Sequence, residues 1–228
     1  MRLFALALFF ALTALGASAP LAARPPAPVA DWLSIVVKTP EGVRIGNPDA
    51  PIKLVEYGSR SCPICGLFAS QSGALRSNYV ASGKVSWEFR DFPVHTQDVA
   101  ISTLGMCVST RNFFHVLDLM YERQHEFNAR AESIPAERWQ AWGKLPTNLQ
   151  SRAIADALGY TDLVRKAGMP EARIGQCFND VVALRAFGDR LKAASARGVR
   201  GTPTFFVNGK QVPAATWIQL EPYLQSPG

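Results

Sequence analysis

The sequence predicts an α/β domain in which a strand–helix–strand unit and a strand–strand–helix unit flank a long helical block. Residues 52–57 have the length and apolar bulk of a buried strand, and residues 85–90 alternate between apolar and polar side chains as a second strand would. From residue 97 to 196, apolar residues recur at helical spacing. Asn208-Gly209 then separates two β-prone segments, which is a strong hairpin signal. The predicted order is therefore β-α-β, helical block, β-β-α.

The first helix is predicted to begin within the segment Cys62-Pro63-Ile64-Cys65, after Gly58 ends the preceding strand. Pro63 suits the first turn of a helix, where its missing N–H is no loss. Further apolar residues continue the helical stripe: Leu67, Phe68, Leu75 and Tyr79. Gly83 is the predicted end of this helix. The strand that follows completes a right-handed crossover between two parallel strands.

The start of the sequence has the layout of a secretory signal peptide. Arg2 precedes an apolar stretch over residues 3–15, and small residues follow. The apolar stretch is shorter than the roughly 20 residues that cross a bilayer as a helix. We predict a signal peptide over residues 1–23, with an uncleaved anchor as the alternative. A proline-rich start predicts an extended segment over residues 24–42. The predicted first half, helical insertion and second half of the domain are residues 43–96, 97–196 and 197–228.

Composition and charge narrow the class of protein. Four cysteines in a chain predicted to be exported indicate disulfide chemistry, because oxidising compartments let such bonds persist. The formal net charge is +6, and the basic residues are scattered along the chain instead of forming a block. A scattered basic surface does not specify nucleic acid. We therefore expect no nucleic-acid partner.

The spacing of Cys62 and Cys65 at a helix start has a chemical consequence. The first helical turn leaves backbone N–H groups unpaired, and the helix dipole adds partial positive charge, so a thiolate there is stabilised. Helix N-termini in such motifs lower the pKa of a thiol from ~8.5 to roughly 3.5–7.5. Cys62 is predicted to be the attacking residue that forms a mixed disulfide with a client protein. Cys65, about one turn later and turned inward, is predicted to resolve it.

Two other kinds of site use this cysteine spacing. A zinc site needs two further ligands, which Cys107 and Cys177 are able to supply, although neither belongs to a second close pair. Haem attachment requires a histidine after the second cysteine, and Gly66 stands there instead. We expect no bound metal, and zinc binding is kept as an alternative.

Glu56 and Arg60 have two interpretations each, and His95 has one. Glu56 is either a solvated edge residue or a buried acid that relays protons to and from Cys65. Arg60 is interpreted as a surface residue, with stabilisation of the thiolate as the alternative. His95 is interpreted as an ordinary loop histidine.

Three stretches of the sequence resemble the DsbA/DsbG group of the thioredoxin superfamily. They are residues 46–52, residues 55–57 together with 62–65, and residues 198–204 together with 207–209. The resemblance implies a thioredoxin-like fold with a helical domain inserted between the βαβ and ββα halves. It also implies thiol–disulfide oxidoreductase activity, which needs no separate cofactor because the cysteines carry the electrons.

The resemblance further implies roles for residues near the cysteine pair. Pro203 is expected to be cis and to pack on the pair, Thr202 to bind the client through its backbone, and Glu56 to be the buried acid. Pro63 and Ile64 are expected to contact the client. Strongly oxidising DsbA proteins carry Pro-His between the cysteines. The Pro63-Ile64 of this chain therefore predicts a less oxidising pair.

Cys107 and Cys177 both fall in the helical block and are predicted to form a structural disulfide, with two buried thiols as the alternative. The whole chain is predicted to be a monomeric periplasmic oxidase that introduces disulfides into exported proteins. A quinone-linked membrane oxidase of the DsbB type is the expected partner. The alternatives are a reductase or isomerase kept reduced by a membrane donor, a metal-binding module, and a binding protein with a structural Cys62–Cys65 bond.

Overall fold

A computed structural model describes residues 31–225, within which six strands form one sheet in the order β1-β2-β4-β3-β5-β6. The strands are β1 (Val36–Lys38), β2 (Val43–Ile45), β3 (Ile52–Gly58), β4 (Val85–Asp91), β5 (Thr204–Val207) and β6 (Lys210–Val212). The predicted signal peptide and the first residues of the predicted extended segment lie outside the described residues.

The helices of the described part account for most of the remaining chain. They are α1 (Pro63–Gln71), α2 (Asp98–Met106), α3 (Phe113–Glu122), α4 (Gln124–Ser133), α5 (Ala136–Gly143), α6 (Thr147–Leu158), α7 (Tyr160–Lys166), α8 (Glu171–Asn179), α9 (Val181–Ala196) and α10 (Trp217–Leu220). Helices α2 to α9 make up one continuous helical block between β4 and β5. Within residues 31–225, no helix has both the length and the apolar character that crossing a membrane requires.

The centre of the sheet follows the predicted topology. Strands β3 and β4, which precede and follow α1 in the sequence, pair in parallel. Strand β5 pairs antiparallel with β3. Strands β5 and β6 form the predicted hairpin, in which Asn208 and Gly209 both have positive φ (49° and 80°). A two-residue hairpin turn of this type requires positive φ at both residues, and Asn-Gly adopts it readily, which is why the dipeptide predicted the hairpin. The predicted α/β fold with a helical insertion is confirmed.

The N-terminal edge of the sheet was not predicted. Within the segment expected to be simply extended, Trp32–Ser34 form a short 3₁₀ turn and β1 pairs with β2, which in turn pairs with β4. Both strands are three residues long, so neither is long enough to display an alternating pattern. The first helix also differs from the prediction. It ends at Gln71, and a separate π-helical turn, Leu75–Val80, precedes Gly83.

Two large apolar clusters stabilise the described domain, beside a small third one around Val199. One packs the sheet against α1, α3 and α10 and includes Phe68, Phe89 and Phe205. The other lies inside the helical block. A disulfide between Cys107, at the end of α2, and Cys177, in α8, spans 70 residues of sequence, with its Cα atoms 5.9 Å apart. Closing a loop of that size stabilises the fold by about 4 kcal/mol in the chain-entropy model.

Arg60 is fully buried, so its interpretation as a surface residue was wrong. Its guanidinium donates to both carboxylate oxygens of Asp91 (Nε–Oδ1 2.7 Å, Nη2–Oδ2 3.0 Å). The group also lies against the rings of Phe89 and Phe113, with centroid distances of 5.5 and 5.1 Å. It packs on Gly105, where any side chain would overlap it. The charge of Arg60 is therefore compensated by Asp91 inside the domain.

Replacing Arg60 by methionine is expected to destabilise the protein by about 3–5 kcal/mol, because the Asp91 carboxylate would be left buried without its partner. Chemical denaturation of the oxidised protein measures this change. As a control, Arg152→Met removes two partly exposed ion pairs, with Asp156 and Glu171, and should cost about 1 kcal/mol or less for each. Equal losses in the two variants would contradict a buried pair at Arg60.

Candidate active site

Cys62 occupies the N-cap of α1, and Pro63 is the first helical residue. The backbone at Cys62 is extended (φ −72°, ψ 119°), and its carbonyl accepts the N–H of Gly66 at 3.1 Å. The side chain lies 3.3 Å (Sγ to O) from the carbonyl of Thr202, which is joined to Pro203 by a cis peptide bond. The structure therefore brings together two segments that are 140 residues apart in sequence.

The two thiols are unbonded in this structure and differ sharply in their acidity. A hydrogen bond from Cys65, a further one with Thr202 and the backbone N–H groups of Cys65 and Ile64 lower the pKa of Cys62 to about 5, against an opposing effect of burial. Burial, followed by the hydrogen bond with Cys62 and its negative charge, raises the pKa of Cys65 well above its usual value. At neutral pH one thiolate and one thiol therefore share this site.

Glu56 is a buried acid, so the solvated-edge interpretation was wrong: its residue is 1% exposed. Burial raises the pKa of its carboxyl to about 8, although Trp87 donates from Nε1 to Oε2 at 3.1 Å and the charge of Arg76 acts in the opposite direction. The charge of Glu56 in turn contributes to the raised pKa of Cys65. A cavity of about 200 Å³ lies against Glu56 and extends to Arg76. This acid is therefore mostly protonated at neutral pH and has room for water beside it.

The loop over residues 59–62, here called the redox loop, is held by side chains of the helical block. The hydroxyl of Tyr121 donates to the carbonyl of Ser59 at 3.3 Å. The amide of Gln124 donates to the carbonyls of Arg60 and Cys62, both at 3.0 Å. The amide of Asn128 donates to the carbonyl of Ser61 at 2.9 Å. We refer to Tyr121, Gln124 and Asn128 as the carbonyl clamp.

Gly66 allows the clamp to approach α1, because a Cβ at this position would lie 2.5 Å from the Oε1 atom of Gln124. None of the clamp residues was singled out from the sequence. Their spacing of three and four residues is a helical face, but nothing in the sequence indicates that this face contacts backbone carbonyls.

A second set of hydrogen bonds fixes the redox loop from the other side. Asp98 is fully buried and accepts from the hydroxyls of Ser59 (2.8 Å) and Ser61 (2.6 Å) and from the backbone N–H groups of Val94 and His95. The hydroxyl of Ser59 in turn accepts the N–H of Cys62 at 3.0 Å. The backbone of Cys62 is thereby connected to Asp98 through one serine.

His95 lies beside this network, in a loop as the sequence predicted, but it also contacts the redox loop, which the sequence did not predict. Its Nδ1 is 2.8 Å from the hydroxyl of Ser61, the residue directly before Cys62. The side chain is 44% exposed, so one edge of the ring faces solvent. The sequence contains no signal for this contact, because 34 residues separate the partners.

The residues expected to contact a client surround Cys62. Pro63 is exposed, and Ile64 and the neighbouring Leu67 are 45% and 43% exposed. Thr202 and Pro203 are partly exposed on the opposite side. The reactive sulfur therefore lies between an apolar helix start and a loop.

The geometry argues against the zinc alternative for these cysteines. The two further cysteines that a four-cysteine site would require are joined in the Cys107–Cys177 disulfide. Within residues 31–225, no group of three or more His, Cys, Asp or Glu side chains is arranged to hold a metal ion.

Known proteins are similar to this chain in sequence and in architecture. A protein of Rickettsia prowazekii named as a protein-disulfide oxidoreductase is 25% identical over 170 residues, which are 73% of this chain and 54% of the relative. A relative of the same name from Rickettsia bellii is 26% identical over 170 residues, 73% of this chain and 57% of its own length. The chain thus spans about half the length of the curated relatives it matches.

The crystal structure of a protein-disulfide isomerase from Novosphingobium aromaticivorans superposes with a TM-score of 0.75 and 25% identity. The superposition covers 80% of this chain and 97% of that one. The structure of Wolbachia pipientis α-DsbA1 superposes with a TM-score of 0.57 at 21% identity, covering 75% of this chain and 76% of that one, and at this identity it shows a common fold alone. A family model described as thioredoxin matches residues 38–226. Because this match spans most of the chain, the protein belongs to the thioredoxin family, as a member with the DsbA-like helical insertion.

Proposed function

We propose that this protein is an exported thiol–disulfide oxidoreductase that introduces disulfides into other exported proteins. The observation that carries the proposal is the contrast between an acidic thiol at Cys62 and a strongly non-acidic one at Cys65. Stabilising the thiolate of Cys62 stabilises the reduced form of the pair. The disulfide form is then the better oxidant.

The reaction begins with the Cys62–Cys65 disulfide. A client thiolate attacks Sγ of Cys62, the bond to Cys65 breaks, and the electron pair of that bond leaves with Cys65. Because the thiol form of Cys65 is favoured, the departing sulfur takes up a proton, which Glu56 supplies. Glu56 is suited to this role since its carboxyl is mostly protonated below about pH 8.

A second client thiolate then attacks the client sulfur of the mixed disulfide, and Cys62 leaves as a thiolate. A thiol of low pKa is a good leaving group, so this step releases the oxidised client readily. Two electrons have moved from the client to the cysteine pair. Thr202 and Pro203 on one side, and Pro63 and Ile64 on the other, form the client-binding surface.

The proposed location is the periplasm, reached through the signal peptide predicted over residues 1–23. A DsbB-like membrane oxidase would restore the Cys62–Cys65 disulfide after each cycle. We propose that the protein acts as a monomer.

A second candidate is disulfide isomerisation or reduction, with Cys62 kept as a thiolate by a membrane electron donor. It is favoured by the similarity to the Novosphingobium aromaticivorans protein, which is named a protein-disulfide isomerase. The two directions use the same residues. They differ in the equilibrium potential of the cysteine pair.

Equilibration of the cysteine pair with glutathione tests the proposed direction. We expect a potential above about −200 mV, nearer to the ~−120 mV of DsbA than to the ~−270 mV of thioredoxin. A potential below about −230 mV would favour the reductase. The Cys65→Ser variant, which is unable to form the pair, is the control and should accumulate a glutathione mixed disulfide at Cys62.

Alkylation kinetics test the ionisation of Cys62. The rate of reaction of the reduced protein with iodoacetamide should rise with pH through a midpoint of about 5, because the thiolate is the reactive form. The Cys62→Ser variant should react far more slowly across this range, since burial keeps Cys65 protonated. A midpoint near ~8.5, as in an unperturbed cysteine, would be incompatible with the proposed site.

Replacing Glu56 by glutamine tests the buried acid through stability. The carboxyl has a pKa of about 8 in the folded protein, above its usual value of 4.5. Folding therefore favours the protonated acid, and its contribution is fully present below pH 4.5 and is lost as the pH rises through 8. In the oxidised protein, the stability of Glu56→Gln relative to the parent should therefore rise with pH, by on the order of 5 kcal/mol between pH 4.5 and a pH above 8.

Denaturation measured from pH 4 to 9 gives this difference directly. Glu122→Gln, at an exposed position of α3, is the matched control and should show no such trend. A stability difference for Glu56→Gln that does not change with pH would argue against a buried, protonated carboxyl.

A further inference from the structure

A cavity of about 410 Å³ lies directly beside the reactive cysteine, and we refer to it as the side cavity. Ser61 and Pro63, the residues on either side of Cys62, form one wall of it. Helices α4 and α5 supply the opposite wall, including the ring of Trp139. Its volume falls within the range of pockets that bind small organic ligands, so it can accept a long side chain.

His95 also lines the side cavity, and the hydrogen bonds around Ser61 determine the tautomer of its neutral ring. The single hydroxyl hydrogen of Ser61 is donated to Asp98 at 2.6 Å, and that of Ser59 is also donated to Asp98. Ser61 must therefore accept from Nδ1 of His95. Neutral His95 then carries its hydrogen on Nδ1, and its Nε2 is left as a hydrogen-bond acceptor.

The same reasoning applies to the polar groups on α4 that line the side cavity. Asn128 uses its amide N–H on the carbonyl of Ser61, and its Oδ1 has no hydrogen-bond partner among residues 31–225. Glu132, one turn further along α4, is exposed, and its carboxylate has no hydrogen-bond or ion-pair partner in the described part of the chain. Thr96 and Gln97 complete the polar lining and can turn either a donor or an acceptor inward.

The side cavity thus combines hydrogen-bond acceptors, one negative charge and an aromatic face. Trp139 is fixed by an edge-to-face contact with Trp142, at a centroid distance of 5.2 Å. Among the described residues that line the cavity there is no lysine or arginine.

We propose that the side cavity is a specificity subsite for a basic side chain of the client, arginine above all, next to the client's reactive cysteine. An arginine has five N–H donors in a planar group that also stacks on an aromatic ring, which matches Glu132, Asn128 and Trp139. This inference rests on the proposed function, because the subsite selects among clients that bond to Cys62.

Paired peptides test the subsite. Each reduced peptide carries two cysteines, with either arginine or its uncharged isostere citrulline before or after the first cysteine. The second-order rate of oxidation by the Cys62–Cys65 disulfide is divided by the rate of the same peptide with glutathione disulfide, which removes the effect of arginine on the peptide's own thiol. One exposed ion pair and one cation–π contact together account for a modest gain in affinity. We therefore expect the arginine peptide to react about three- to tenfold faster than the citrulline peptide.

Glu132→Gln should remove most of this preference and leave the citrulline rate unchanged. Glu137→Gln is the matched control, because it removes the same charge from an exposed position of α5 outside the side cavity, and it should keep the preference. Trp139→Leu provides a second variant, which should lower the preference by removing the aromatic face.

Three outcomes would overturn the subsite. They are equal normalised rates for the arginine and citrulline peptides, a preference that persists in Glu132→Gln, and an equal reduction in the Glu132 and Glu137 variants, which would indicate net charge alone. If no peptide is oxidised at all, the proposed function itself fails, so the two failures are distinguishable.

Discussion

The hydrogen bonds between the helical block and the backbone of the redox loop are the constraint on which the site depends. The carbonyl clamp occupies each carbonyl of residues 59–62, and Asp98 binds the serine hydroxyls from the other side. A loop held this completely has little freedom to rearrange when Cys62 changes from thiolate to mixed disulfide. The helix start, the Thr202 carbonyl and the sulfur of Cys62 therefore keep their geometry through the proposed cycle.

The ionisable side chains near the thiolate of Cys62 are mostly neutral or paired with an opposite charge. Glu56 is protonated through most of the neutral pH range because burial raises the pKa of its carboxyl. Burial is also the main reason why Cys65 stays a thiol. Arg60 is two residues from Cys62, yet its charge is matched by Asp91. Hydrogen bonds and the helix start, not a neighbouring cation, are thus the source of the thiolate's stability.

The sequence predicted those features that local pattern determines. Strands β3 and β4 were recognisable from apolar bulk and alternation, the β5–β6 hairpin from Asn208-Gly209, and the position of Cys62 at a helix start from Pro63. The contacts of His95 and the carbonyl clamp were not recognisable, because they join residues 34 to 67 positions apart. The burial of Arg60 depends on Asp91, which lies 31 residues further along the chain.

The arrangement of α4 explains how one insertion fixes the redox loop and also lines the proposed client subsite. Asn128 donates to the redox loop with its amide N–H and also lines the side cavity, so it contributes to both. Glu132 lies four residues on, along the same helical face, and touches the cavity without touching the loop. Substitution at Glu132 can therefore alter client preference while the geometry of Cys62 is preserved. Separating the two tasks by one helical turn allows specificity to change without loss of the reactive thiolate.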